Sequence, residues 1–249
     1  MKEKREAVKE IRASVAMAAY NGQRYIEEQI DSILERMGPG DELVISYDPS
    51  TDETRRIIDG YAVTDPRVRV VEHDKPSGAQ ANFTNAVMHC RGKYIFLADQ
   101  DDVWTGDKVE AVVRCFEETG ADLVVHDGYM ADGDLNPLPG TIFERYGTSD
   151  NPLRNIIKCT YWGCCMAFRS HVRDYVCPFP TENKVGHDLW LGVMVGFHGK
   201  IARLHQCLML HRLHGDNVTT DKRRPLPQVI SHRATLLKLL LLRGWKGRK

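Results

Sequence analysis

Short runs of apolar strand formers recur through the first half of the chain, separated by stretches whose apolar residues fall at helical spacing. Ser14 to Ala19, Leu43 to Ser46, Val68 to Glu72, Tyr94 to Ala98 and Leu123 to His126 read as strands. Gln23 to Met37 carries Ile26, Ile30, Ile33 and Leu34 on one helical face and is closed by Gly38-Pro39-Gly40, while Thr51 to Tyr61, Ala79 to Cys90 and Lys108 to Glu118 read as further helices. Alternation of this kind predicts an α/β fold with a mostly parallel sheet flanked by helices. From Asp132 to Pro152 the composition shifts to Gly, Pro, Asn and Asp, which predicts a long irregular connection, either a lid facing a substrate or a plain surface loop. A second irregular stretch, His214 to Pro227, leads into a Leu-rich segment. The organisation expected is a charged extension over residues 1–12, one domain over 13–222, and a basic Leu-rich C-terminal helix over 223–249.

Composition narrows the classes of function. The 249 residues have a formal net charge of zero, so there is no general electrostatic case for nucleic acid, and no basic-aromatic RNA or DNA motif appears. Seven cysteines, an odd number with Cys164 and Cys165 adjacent, make no disulfide framework and include no CxxC pair, so they read as reduced core thiols in a cytoplasmic protein. The start of the chain alternates Lys, Glu and Arg without an apolar segment, and no stretch approaches the roughly 20 apolar residues of a membrane span.

The chemistry is concentrated after the strands. The run Tyr94 to Ala98 stops at Asp99-Gln100-Asp101-Asp102, followed at once by apolar Val103-Trp104. Acids delivered by a buried strand lie at the carboxyl edge of a sheet, where open α/β folds bind ligands. Hard oxygen donors there suit Mg²⁺ or Mn²⁺ and hence a metal-held diphosphate, although Asp after a strand also serves turns and helix caps. After the first strand comes Ala18-Ala19-Tyr20-Asn21-Gly22, and after the second Tyr47-Asp48-Pro49-Ser50-Thr51-Asp52. There Asp48 suits a base or ribose, Tyr20 offers an aromatic face, and Ser50 to Glu53 has capping-box spacing. Neither GxGxxG nor GxxxxGK[ST] occurs, which argues against a dinucleotide or P-loop site.

Taken in order, Tyr20-Asn21, the Asp48 turn, Asp99-Gln100-Asp101, Gly186-His187-Asp188-Leu189-Trp190 and His211-Arg212-Leu213-His214-Gly215-Asp216-Asn217 resemble the signature of the family 2 glycosyltransferases of GT-A fold, over about residues 14 to 220. The Asp-Gln-Asp-Asp-Val-Trp form is similar to bacterial polysaccharide enzymes often labelled rhamnosyltransferases. The resemblance implies an inverting transfer from a nucleoside-diphosphate sugar to a hydroxyl of a glycan or lipid-linked acceptor. By the same resemblance Ala18, Tyr20, Asn21, Asp48 and Asp99 belong to the nucleotide pocket, Arg212 meets a diphosphate oxygen, Asp101 and His214 hold Mg²⁺ or Mn²⁺, and Asp188 is the general base. Gly163-Cys164-Cys165-Met166 would be the acceptor-side strand. Trp162 and Trp190 are candidates to stack on sugar rings or to pack in the core. His187 stands where the family usually has Glu, either modulating the base or facing solvent. Tyr47-Asp48-Pro49 departs from the family's Asp-Asp-Gly, and Pro49 pushes Asp48 toward an extended backbone.

Two rival classes are a catalytically silent sugar-nucleotide-binding partner and a nucleotidyltransferase. The first is opposed by retention of Asp101 and Asp188, the second by the lack of a Gly-rich basic phosphate loop after the first strand. The tail from Leu236 to Trp245, with Lys246, Arg248 and Lys249, reads equally as an interfacial helix on an anionic membrane surface or as a helix packed on the core or a second copy.

Overall fold

The computed structural model describes residues 10–73, 77–182, 185–215 and 225–243. The chain opens with β1 (Ala13–Ala19), α1 (Ile26–Leu34), β2 (Glu42–Tyr47), α2 (Thr54–Thr64), β3 (Val68–Glu72), α3 (Ala79–His89) and β4 (Tyr94–Ala98). Next come a short β5 (Val103–Trp104), α4 (Lys108–Thr119), β6 (Leu123–Ala131), β7 (Pro137–Thr141), α5 (Ile142–Tyr146), α6 (Pro152–Ile157) and β8 (Met166–Arg169). The remainder is α7 (Arg173–Val176), α8 (His187–His198), β9 (Ile201–Arg212) and α9 (Leu226–Arg243).

One sheet runs in the order β3-β2-β1-β4-β8-β6-β9-β5, with β7 paired to β6. The pairs β1/β2, β1/β4, β2/β3 and β6/β9 are parallel; β8 is antiparallel to both β4 and β6. Two reversals restore direction, so β6 and β9 end at the same sheet edge as β1, β2 and β4. The chain leaves β1 toward β2 on one side and returns from α3 to β4 on the other, which makes the β1–β4 junction a topological switch point. The central strands β1, β2 and β4 are buried on both faces, as helix-covered parallel strands must be, and read as near-continuous apolar runs: all five residues of β4 are buried.

The five strands and four helices read from the first half are all present, with ends shifted by a few residues. The expected irregular connection at 132–152 is instead largely built: it holds β7 and α5, with a complete capping box in which Thr141 Oγ1 accepts from Glu144 N–H and the Glu144 carboxylate accepts from Thr141 N–H. The capping box expected at Ser50–Glu53 is not formed. Helix α2 starts at Thr54, and Asp52 accepts its N–H at 3.0 Å. Trp190 is fully buried, with its indole N–H donated to Val176 O at 2.8 Å, and is a core residue.

The opposite sheet edge is pinned by a polar knot. Ser14 Oγ donates to Glu42 and accepts the N–H of Gly92, and Glu42 also takes Arg91 N–H and the Arg69 guanidinium. Gly92 is needed there because a Cβ would lie 2.6 Å from Ser14 N and 2.7 Å from Ala13 C, both backbone atoms that cannot step aside. Gly92→Ala is therefore expected to lower stability by about 1–3 kcal/mol, the usual cost of overpacking; an unchanged denaturation midpoint would contradict this reading of the β1–β4 spacing.

Candidate active site

The acid segment is held from both sides. As the chain leaves β4 it turns straight into β5, which pairs antiparallel with the end of β9 (Val103 with Leu210, Trp104 with Met209). That pairing delivers His211, Arg212 and His214 onto the acids. His214 Nε2 lies 2.9 Å from Asp101 Oδ2, and His211 Nδ1 lies 2.8 Å from Asp102 Oδ1. Asp102 is fully buried and also accepts Arg212 N–H at 3.3 Å. From the other side, Gln29 of α1 donates to Asp99 O at 2.8 Å, and Ser32 Oγ accepts Trp104 N–H.

The first loop is tied to the same segment by an amide. Gln100 Oε1 accepts Tyr20 N–H at 2.9 Å and Gln100 Nε2 donates to Tyr20 O at 2.8 Å. A Cβ on Gly22 would sit 2.3 Å from Gln100 Oε1, so glycine there permits the clamp. Asn21, at φ +45°, braces the second loop: its N–H goes to Ser50 Oγ and its Oδ1 accepts Thr51 N–H. Tyr47 accepts Ser50 N–H through its hydroxyl at 3.0 Å and so holds the turn around Pro49.

Among the expected nucleotide-pocket residues, Ala18 sits at the end of β1 in register with Ser46, and the Tyr20 side chain is half exposed above the edge. Asp48 is buried, and its carboxylate accepts the N–H groups of Ser77 and Gly78 at 3.0 Å each, ordering the start of α3. Arg212 is buried as well. Its guanidinium donates to Asp101 O and Gly133 O, pairs with Glu28 and lies over the Tyr25 ring, so in this structure it braces the metal-side loop. Asp188 stands in the first turn of α8, its Oδ1 accepting Leu189 N–H at 2.7 Å, with no cationic partner among the described residues. Its charge is close enough to Asp99 to raise the latter's pKa. His187 beside it does not face solvent: its ring packs against Phe83 and Phe179, and burial keeps it neutral. The expected acceptor strand begins only at Met166, after a 3₁₀ turn at Gly163–Cys165.

Sequence reading missed the supporting charges: Lys108, His211 and the pairing of Asp102. Lys108 is buried over the Trp104 ring and donates to Cys164 O, with burial pulling its pKa down to about 8. A polar residue facing an otherwise apolar helix side, as Lys108 does in Lys108–Thr119, was the available signal.

Electrostatics show an excess of negative charge. Burial, then the carboxylates of Asp102 and Asp101, push Asp99 up to about 8; burial and Asp102 also raise Asp101 despite His214. Burial favours the neutral form of His211, yet Asp102, Asp99 and Asp101 lift it to about 9. Such a cluster fits a divalent cation. Asp101 and His214 offer O and N donors, with Asp99 beside them, a set suited to Mn²⁺ or Mg²⁺. Behind it, Asp102, His211 and Cys164 bring three donor atoms within 4.8 Å of one another, but the buried Cys164 thiol is held protonated, first by its contact with Cys165.

Comparison with known proteins places this arrangement. The structure of Staphylococcus aureus TarS 1–349 in complex with UDP-GlcNAc superimposes with a TM-score of 0.72 at 19% identity, covering 92% of this chain and 66% of that one. The mannosyltransferase PcManGT from Pyrobaculum calidifontis, in complex with GDP-Man and Mn²⁺, gives 0.61 at 17% identity, covering 93% and 75%. The fold is thus the GT-A fold. Residues 14–176 match the profile of Glycosyl transferase family 2, and the chain belongs to that family of glycosyltransferases. The putative teichuronic acid biosynthesis glycosyltransferase TuaG of Bacillus subtilis is 29% identical over 219 residues, 84% of this chain and 82% of TuaG.

The shifted groups give a pH signature. Between pH 6.5 and 8 the native state retains protons on Asp99 and His211 that the unfolded chain has released, so it binds more protons and loses stability as pH rises. His126 and His187, whose burial lowers their pKa, oppose this near pH 6.5, where the unfolded imidazoles are still about half protonated, and Lys108 opposes it near pH 8, so the fall is steepest in the middle of the window. The melting temperature of metal-free protein is expected to fall from pH 6.5 to 8, less steeply in Asp99→Asn and with saturating Mn²⁺. A flat or rising profile would contradict the charge arrangement.

Proposed function

We propose that the chain is a metal-dependent inverting glycosyltransferase that moves a sugar from a nucleoside-diphosphate sugar to a hydroxyl of a glycan or lipid-linked acceptor, in assembly of a bacterial surface polysaccharide at the inner face of the cell membrane. The observation that carries this reading is the 2.9 Å approach of His214 Nε2 to Asp101 at the strand ends, with Asp188, in the first turn of a helix, close enough for its charge to act on Asp99. The ligands of the TarS and PcManGT structures, UDP-GlcNAc and GDP-Man, support the donor class, and the Mn²⁺ in the latter supports the metal. The name of TuaG supports the polysaccharide role.

In this reading Asp101 and His214 hold Mg²⁺ or Mn²⁺, which when bound neutralises charge on the leaving diphosphate. Ala18 and Tyr20 form the floor and rim of the nucleoside pocket, and Asp48 contributes its carboxylate and the Ser77–Gly78 segment it orders. Asn21 and Arg212 act as braces of the pocket loops, Arg212 through Asp101 instead of by touching a diphosphate oxygen. Asp188 takes the proton of the acceptor hydroxyl as that oxygen forms a bond to the anomeric carbon. The bond from that carbon to the diphosphate breaks on the opposite side, and the configuration inverts. Asp188 stands in the first turn of its helix, and Gly186 makes room for its carboxylate, since a Cβ there would meet Asp188 Oδ1 at 2.2 Å.

A panel of nucleoside-diphosphate sugars with Mn²⁺ should reveal one or a few donors that the protein hydrolyses slowly without acceptor; no hydrolysis of any would contradict the reading. With that donor and an acceptor, Asp188→Asn is expected to keep donor affinity and lose transfer by roughly 10²-fold or more, the usual worth of a general base. Transfer at the wild-type rate would remove Asp188 from the mechanism, and parallel loss of donor affinity would make it a structural cap.

A further inference from the structure

The C-terminal helix shows two unlike faces. Leu236, Leu239 and His232 are buried, and the helix packs against α6. Its outer side carries Ile230, Leu237, Leu241 and Leu242, which like Leu153 and Ile157 of α6 are exposed, at 47–80%. Ile230, Ala234, Leu237 and Leu241 recur at helical spacing, so they form one stripe along the helix, and Leu153 and Ile157 are one turn apart on its neighbour. Scattered apolar residues need no explanation, but contiguous ones mark an interaction surface.

The charges beside this face select its partner. Lys238 is exposed next to the stripe, and Arg154 and Lys158 are exposed on either side of Ile157. No Asp or Glu occurs anywhere in residues 222–249, which hold nine Lys or Arg. A cationic rim around an apolar stripe complements an anionic lipid surface, whereas two copies of it face to face would set like charges together. No described helix is long and apolar enough to cross a membrane, so the face would lie along the surface. Its position also has a chemical sense. Arg243 at the end of α9 donates to Pro178 O at 2.6 Å and lies over the Trp190 ring, two residues from Asp188. The end of α9 is therefore fastened to α8, the helix that carries the proposed base.

We propose that α6 and α9 together form an interfacial anchor for anionic phospholipid, which holds the enzyme at the bilayer surface where a lipid-linked sugar is the acceptor. This rests on the glycosyltransferase reading of the Asp188 edge. The test is flotation of the full chain with phosphatidylglycerol-containing and with phosphatidylcholine vesicles, alongside sedimentation in their absence and donor hydrolysis by the same preparation. The wild type is expected to float with the anionic vesicles, less at high salt, and to stay behind with the neutral ones. Leu237→Ser/Leu241→Ser should bind on the order of tenfold less or weaker while hydrolysing donor as before. Failure of the wild type to float with anionic vesicles, or equal flotation of the double variant, overturns the anchor. So does a dimer that the double variant dissociates, which would give the face to a second copy. Donor hydrolysis reports separately on the reading beneath it: a chain that floats but hydrolyses no donor keeps its anchor and loses its proposed reaction.

Discussion

Three carboxylates within four positions at the end of a buried strand are the constraint around which this molecule is arranged. Like charges in a poorly solvated edge raise one another's pKa, and here Asp99 is pushed to about 8. The structure answers with basic side chains drawn from distant segments: His211 and His214 from the end of β9 and Lys108 from α4. The short β5 matters for this reason. Two residues of pairing are enough to lock β9 against the acid turn, and the lock is sealed by the buried contact of Asp102 with His211. The negative charge these side chains leave uncompensated is that of Asp99 and Asp101, where the proposed divalent ion and diphosphate would sit.

The layout of the first half was legible because its strands are short, apolar and followed by turn residues, so β3 and β4 were found to the residue and the other ends lay within a few positions. The second half was not. β9 spans twelve residues without a clean alternation because its register against β6 shifts twice, between His126 and Asp127 and again before Tyr129, so its inward and outward positions exchange along the strand. The helix α5 was hidden by the Gly and Pro around it, although Thr141 and Glu144 carry a capping-box spacing that announced it.

The candidate site was legible as a set of residues rather than as a set of contacts. Asp101 and His214 stand 113 positions apart and meet, which the order of motifs implied through resemblance alone. Other residues make bonds that the pattern did not announce. Asn21 and Arg212, expected at the nucleotide, spend their polar atoms on Ser50, Thr51, Glu28 and Gly133, and Gln100, unremarked between two acids, is the clamp between the first loop and the acid turn. Such bonds depend on which loops the sheet order sets side by side, and a linear pattern does not carry that information.

The central claim is that the outer acids form a divalent-cation site completed by His214. Electron paramagnetic resonance of Mn²⁺ titrated into the protein with a nucleoside diphosphate tests it most directly. One bound Mn²⁺ per chain is expected, with the signal of the free ion reappearing in Asp101→Asn and affinity weakened in His214→Ala. Binding of Mn²⁺ that is indifferent to both substitutions would contradict the account.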